Sequence, residues 1–418
     1  LLLKQQIIRC RNSIAILLKK IADSPENQLH KIFNDAEYSS NLPPYIAADF
    51  NLIKQHFNSI STLEQKLIAR AIGFIAQLSF HNKIGDEIGS TSVSSQWLES
   101  IEEKIEKGTI IANLSLIPEK SDFTRMHLTF AQNGTFSKIN VIRKGDLCIL
   151  KKQNYDTSSG NNNQVLKGII SSISNSEITI SLINKLINYN FDANHKWTIE
   201  QEQSDAITGY LYSSVFSLLR CPQQRRSLLL GLNRPQSSVL PDISYPELTS
   251  EQNELLRKII AANDYFLVQG PPGVGKTSYL LRYLVKYYFE NTNSNILLVA
   301  YTNRAVDEIC LTLKKISPDF PFLRLGNKEA TEIEDNSIAF LAEKMRFSDL
   351  FLKIKSCRVF VSTISSVLTS NELFQIKNFD IAIVDEASQI LEVYIYSLIT
   401  QVRKFVLSLA NLLLSQAP

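Results

Sequence analysis

The stretch Tyr265-Phe-Leu-Val-Gln-Gly-Pro-Pro-Gly-Val-Gly-Lys-Thr-Ser278 decides the fold. Tyr265–Gln269 is short, apolar and strand-like, and the run from Ser278 to Tyr288 has helical spacing. Between them, Gly270-x4-Gly275-Lys276-Thr277 satisfies the P-loop pattern completely. The chemistry explains the residue types. Gly270, Pro271, Pro272, Gly273, Val274 and Gly275 form a loop whose backbone N–H groups turn inward around phosphate oxygens. The helix start at Ser278 adds further donors and a favourable dipole. Lys276 is placed to bridge the β- and γ-phosphates, and the Thr277 hydroxyl to ligate Mg²⁺.

Downstream, strand-like runs recur at Ile296–Tyr301, Phe322–Leu325, Arg358–Ser362, Ile381–Val384 and Lys404–Leu407, with helical segments between most of them. Such alternation is the mark of βα units and a parallel sheet, so the fold class is α/β. Asp385-Glu386 follows the apolar run Ile381–Val384. A carboxylate at the end of a central strand lies beside the phosphate loop in such folds. Asp385 is expected to hold the Mg²⁺ shell, and Glu386 to orient and deprotonate an attacking water. Together with the P-loop, this pair specifies ATP or GTP binding.

Upstream the periodicity changes twice. Residues 1–95 read as mostly helical, broken at Asn41-Leu-Pro-Pro44. Leu98, Ile101 and Ile105 stripe a short helix over Gln96–Lys107, and Gly108 is its stop. From about 110 to 200 the pattern is β, with strands at Lys144–Leu150, Val165–Ser174 and Glu177–Ile183. A loop at 155–163 and a turn at Asn175-Ser176 separate them, and the whole suggests a small barrel. Helices follow at about 204–220 and 223–230, and Pro235, Pro241 and Pro246 mark residues 232–246 as a linker.

Of the 418 residues, 44% are hydrophobic and 20% charged, ordinary for a globular protein, and the net charge is only +3. Any cationic surface must therefore be a local stripe. The five cysteines contain no CxxC pair, which argues against a zinc or iron–sulfur framework and suits a reducing compartment. The apolar runs are strand-length, so no membrane partner is expected.

Gly270–Thr277, Ala300-Tyr-Thr-Asn-Arg-Ala-Val-Asp-Glu308 and Val384-Asp-Glu-Ala-Ser-Gln389 resemble motifs I, Ia and II of the superfamily 1B helicases. That group includes replication helicase–nucleases and RNA-surveillance helicases. The wording Tyr-Thr-Asn-Arg-Ala-Val-Asp is nearest to the DNA helicase–nuclease branch. The resemblance implies a RecA-like ATP-binding domain over 246–418, with ATP and Mg²⁺ as cofactors. It implies 5′-to-3′ movement on single-stranded DNA, RNA being the alternative substrate. Gln252 matches the residue that reads the adenine edge, and Gln389 the one that couples nucleotide to a second motor domain. Thr302 and Asn303 match contacts to the single-strand backbone, with Arg304 beside them. Ser362 and Thr363 resemble the next strand-binding motif, and a helix cap is the competing reading there.

The same resemblance implies a β-barrel over 110–200, carried on a stalk of the helix at 96–109 and the helices and linker at 201–245. Residues 1–95 would be the helical tail of an upstream nuclease domain. Neither paired acids with a lysine nor a cysteine cluster occurs there, so nuclease activity is not expected of this stretch. Lys151, Lys152 and Lys167 are candidates for the barrel's binding face, although plain exposed lysines read as well. Trp197 reads as a core or stalk anchor. After Lys404-Phe-Val-Leu407 the family pattern requires Gly-Asp-x-x-Gln-Leu-Pro, whereas Ser408–Pro418 follows instead. Motif III and a second RecA-like domain with its arginine fingers would then be missing, through truncation or a shifted frame. An arginine finger contributes on the order of 10³–10⁵ in rate. The expectation is nucleotide binding with poor hydrolysis, or a nucleotide-binding scaffold without motor activity.

Overall fold

The computed structural model describes residues 17–34, 44–84, 105, 108, 110–124, 126–132, 142, 143, 145–152, 166–174, 176–183, 191, 195–201, 206–271, 275–326 and 331–410. They fall into two compact units, one of residues 1–23 and 74–206, the other of 24–73 and 207–418. After a helical run over 17–23, helices α1 (Pro25–Asn34), α2 (Pro44–Ser59) and α3 (Thr62–Ile84) follow. Pro44 opens α2, where its missing N–H has no helical partner to lose. The expected helix at 96–107 and loop at 155–163 lie outside the described residues, save Ile105. Gly108 does carry a left-handed φ of 68°, and its N–H reaches the Ile105 carbonyl at 3.1 Å, as a helix stop should.

The first unit contains the expected barrel. Strands β1 (Ile110–Leu116), β2 (His127–Ala131), β3 (Leu147–Lys152), β4 (Leu166–Ile173), β5 (Glu177–Leu182) and β6 (Lys196–Gln201) close in the order β1-β2-β5-β4-β3-β6. All neighbours are antiparallel, and β6 returns to β1 from Ile110↔Glu200 to Ser115↔Lys196. Strands β1, β2 and β6 were not individually legible in the sequence. In β1 the reason is a register shift between Ile111 and Leu114, where Asn113 takes a φ of 59° and the alternation slips. In β6, Trp197, Thr198, Ile199 and Glu200 are all buried, which hides the period of two. Trp197 is fully buried against Phe130, the ring centroids 5.9 Å apart, and is the core anchor expected. Lys151 does not point free from a binding face, since it pairs with buried Glu200 at 2.5 Å.

The second unit carries α4 (Ala206–Arg220), α5 (Gln223–Leu229), α6 (Ser250–Ala261), β7 (Tyr265–Gly270), α7 (Arg282–Asn291), β8 (Ile296–Ala300) and α8 (Asn303–Lys314). It continues with β9 (Leu323–Arg324), α9 (Ile338–Lys344), α10 (Phe347–Ser356), β10 (Val359–Thr363), α11 (Ile364–Thr369), α12 (Asn371–Ile376), β11 (Ile381–Val384), α13 (Glu392–Gln401) and β12 (Lys404–Ala410). The six strands form a parallel sheet in the order β7-β12-β11-β8-β10-β9. Every residue of β8, β10 and β11 is buried, as helices on both faces require.

Two expectations are corrected here. Residues 24–73, read as part of a separate N-terminal region, belong to this unit. A buried ion pair ties them in: Arg226 Nε on α5 donates to Glu64 Oε1 at 2.6 Å, and its Nη1 donates to the Cys221 carbonyl at 2.9 Å. Further, β12 does not stop at Leu407. Ser408, Leu409 and Ala410 pair with Val268, Gln269 and Gly270, because β7 offers an open ladder to any extended chain beside it. The linker at 232–246 is likewise pinned rather than loose. Ser238 N–H bonds the Ala261 carbonyl at 2.7 Å, and the Asn253 side chain both donates to and accepts from the Tyr245 backbone.

Lys404 opens β12 from a buried position. Its Nζ donates to the carbonyls of Ile259 at 2.5 Å and Ile260 at 3.1 Å, and to the Tyr288 hydroxyl at 2.9 Å, so it caps the end of α6. Burial pulls its ammonium from the usual 10.5 down to about 8. The folded pKa lies below the unfolded one, so the unfolded chain binds more protons between them. Stability from this group is therefore least below pH 8 and rises as pH increases toward 10.5. Burial pushes the Tyr288 hydroxyl up, which opposes the gain only above about pH 10. From pH 8 to 10 the wild type should gain roughly 2 kcal/mol relative to Lys404→Met. Urea unfolding of both proteins at the two pH values measures it, and parallel curves would refute it.

Candidate nucleotide site

The phosphate loop leaves β7 and enters helix through a wide turn over Lys276–Leu281, in which Leu280 N–H reaches the Gly275 carbonyl at 3.1 Å. Such π-type turns concentrate at functional sites. Helix thus begins at Lys276, before the expected Ser278, and becomes regular α at Arg282. Gly275 makes the entry possible with φ 81°. A β-carbon there would sit 2.8 Å from Cδ2 of Tyr279, so both conformation and space demand glycine. Gly275→Ala is expected to lower nucleotide affinity about tenfold or more, from left-handed strain alone. A fluorescent-nucleotide titration checks this, and an unchanged affinity would show that the loop does not take phosphate. Pro272, Gly273 and Val274 lie outside the described residues; Pro271 and Ser278 are exposed at either side.

Lys276 Nζ donates to the carbonyls of Gly270 at 2.6 Å and Pro271 at 2.8 Å, so its ammonium is held at the end of β7 where the loop begins. Thr277 donates its hydroxyl to Asp385 Oδ2. This contact is informative because β12 lies between the P-loop strand β7 and the acid-bearing strand β11. The two motifs meet across the end of an intervening strand, not from adjacent ones. Asp385 is buried; its N–H continues the ladder to Val299 at 2.8 Å, and its Oδ1 accepts the Glu386 N–H at 3.0 Å. Glu386 turns out of the strand in a left-handed conformation, φ 51°, which carries its carboxylate to the exposed side. There it accepts Gln389 Nε2 at 2.9 Å. The Thr277 hydroxyl and the Asp385 carboxylate converge as two hard oxygen donors, a set that suits Mg²⁺ completed by water and phosphate.

Gln252 stands next to this loop. Its side chain accepts the Thr249 N–H at 3.1 Å while its own N–H bonds the Thr249 hydroxyl, a complete capping box on α6. Its Nε2 lies 3.6 Å from the β-carbon position of Gly275, so the cap holds the amide against the phosphate loop.

The expected strand contacts occupy the carboxyl edge of the same sheet, and the structure sorts them. Thr302 caps α8, accepting the Ala305 N–H at 3.2 Å. Asn303 Oδ1 accepts from Arg324 Nη2 at 3.0 Å. Arg304 is exposed and pairs with Glu308 at 3.4 Å, one turn along the same helix. Ser362 is fully buried with its hydroxyl on the Thr363 carbonyl, which withdraws it as a surface contact. Thr363 caps α11, accepting the Ser366 N–H at 3.1 Å, so the helix-cap reading describes its hydroxyl. Sequence reasoning passed over Arg324 and Asp307. Two signals marked them: a lone arginine inside the apolar run Phe322-Leu-Arg-Leu325, and an acid on the core face of α8.

A P-loop and an acidic strand end joined through Thr277 and Asp385, on a parallel sheet in this order, are the parts of a P-loop nucleotide-binding domain. Residues 247–350 match the family described as an AAA domain. The chain is similar to the DNA replication ATP-dependent helicase/nuclease JHS1 of Arabidopsis thaliana, 30% identical over 270 residues, 60% of this chain and 19% of that protein. The DNA replication ATP-dependent helicase/nuclease DNA2 of Bos taurus is 28% identical over 315 residues, covering 70% of this chain and 29% of its own. Its Saccharomyces cerevisiae namesake is 34% identical over 148 residues, 34% of this chain and 9% of that one. The chain therefore spans less than a third of the length of these relatives. Among the described residues, no helix is long and apolar enough to cross a membrane.

Proposed function

We propose that this chain is the ATP-binding part of an ATP-dependent DNA helicase that moves 5′ to 3′ along a single strand. The observation that carries the reading is that Lys276 lies on the carbonyls of the phosphate loop while Thr277, next to it, meets Asp385, whose neighbour Glu386 is held by Gln389. In it, Lys276 takes the β- and γ-phosphates, and Thr277 with Asp385 would hold Mg²⁺, which would supply neutralisation of the phosphate charge. Glu386 orients the attacking water and receives its proton. The bond from Gln389 makes the position of that carboxylate depend on a side chain that a second motor domain would touch. Gln252 selects adenine through an amide that donates and accepts. The relatives named as DNA replication helicase/nucleases support DNA over RNA as the strand.

The test is turnover and unwinding by the full-length protein on forked duplexes of each polarity. Stimulation by single-stranded DNA with 5′-to-3′ unwinding is expected, and Glu386→Gln should bind ATP but stop turnover. Unwinding only 3′ to 5′ would overturn the polarity. Stimulation by RNA alone would instead place the protein in the surveillance branch.

A further inference from the structure

Strands β8, β10 and β9 end side by side, and the segment leaving β9 touches the loops that follow both of the others. Arg324, wholly buried, spends its guanidinium on three groups. Its Nε donates to Asp307 Oδ1 at 2.8 Å, its Nη1 to the Leu325 carbonyl at 2.5 Å, and its Nη2 to Asn303 Oδ1 at 3.0 Å. Leu325 N–H continues the ladder to Val361 at 2.9 Å. Gly326, with φ 82°, lies so close to the next loop that a β-carbon would fall 2.6 Å from Ser366 Oγ. That oxygen in turn accepts the Thr363 hydroxyl at 2.9 Å.

A guanidinium has donors only, so the amide atom facing it must be the oxygen of Asn303. The two N–H bonds of Asn303 Nδ2 then face away from Arg324, at a half-exposed position on the carboxyl edge of the sheet. A phosphodiester presents acceptor oxygens only, and this amide is set in the one orientation that matches them.

We propose that Arg324 is a positioning residue for single-strand binding: it locks Asn303 with its amide donors turned to the strand backbone. The Arg324-Leu325-Gly326 segment also braces the Thr302–Asn303 loop against the Thr363–Ser366 turn, so the two keep one spacing. The inference rests on the proposed strand-binding function and names the atoms that hold the Asn303 amide.

The test is an Asn303 series in the 418-residue chain, with labelled oligo(dT) anisotropy, melting temperature and nucleotide affinity read on each variant. Asn303→Asp keeps an oxygen toward Arg324 but offers the strand a carboxylate, whereas Asn303→Ala loses both faces. Strand affinity should fall in the order Asn, Ala, Asp, with Asp about tenfold or more below wild type and its deficit shrinking at high salt. Melting temperature should follow a different order, with Asp equal to Asn and Ala lowest. Nucleotide affinity should not change. A merely structural role predicts that Asp binds the strand as well as Asn does, and that result would overturn the proposal. Arg324→Lys should weaken strand binding in the wild-type background and add nothing to Asn303→Ala; additive losses would also overturn it. Should Arg324→Lys fail to fold, the Asn303 series still decides. If the wild-type chain binds no oligo(dT), the functional reading fails with it; if wild type binds and Asn303→Asp binds equally, this inference alone fails.

Discussion

Lys276→Ala lowers nucleotide affinity by roughly 10²- to 10³-fold, while the protein still folds. The ammonium holds two carbonyls of the loop, Gly270 and Pro271, and phosphate oxygens would take their place. Charge-assisted hydrogen bonds contribute about 1.5–3 kcal/mol each, and at this half-exposed position the lower end applies, so losing two of them removes roughly 3–4 kcal/mol of binding. The side chain is only half-buried, so little of the core depends on it. Titration with a fluorescent ATP analogue gives the affinity, and thermal melting without nucleotide gives the fold. Wild-type affinity in this variant would refute the site, whatever the rest of the molecule does.

Arg324→Leu destabilises the fold by about 3–5 kcal/mol, the usual effect of removing one member of a buried pair. The carboxylate of Asp307 is left buried without its cation, and the Asn303 amide and Leu325 carbonyl lose a donor. The double variant Arg324→Leu with Asp307→Leu should recover part of that loss, because no uncompensated charge remains. Urea unfolding of the two single variants and the double variant measures the coupling. If Arg324→Leu shifts stability by less than about 1 kcal/mol, the network is not the brace described here.

The contrast between these two residues shows where sequence reading stopped. Lys276 was legible because a phosphate loop is local: the chemistry needs glycine, lysine and a hydroxyl within eight consecutive positions. Asp385 and Glu386 were legible for a related reason, since an acid pair at the end of an apolar run declares its own strand. The alternation of strand and helix over 246–407 followed from burial on both faces of a parallel sheet. The barrel was legible as a class, but its bulged and doubly buried strands were not, because both features erase the period of two.

Arg324 and Asp307 are 17 residues apart, and nothing in either segment names its partner. The same holds for Arg226 with Glu64, 162 residues apart, which binds 24–73 into the second unit. Which hydroxyls of the strand-contact motifs cap helices, and that Ser362 is buried, also depended on how β8, β9 and β10 lie together. So did the continuation of β12 to Ala410, which needs β7 beside it. By itself, the amino-acid sequence determined the P-loop and its acidic partner as a candidate nucleotide site, the sheet class and the helicase resemblance, because each is written in short runs whose local geometry is enforced by the residues in them. Only the tertiary structure decided that β12 lies between the P-loop and its acid, and which polar groups hold the loops apart. Those are pairings between distant segments, and a pairing has no physical expression until both partners are buried together.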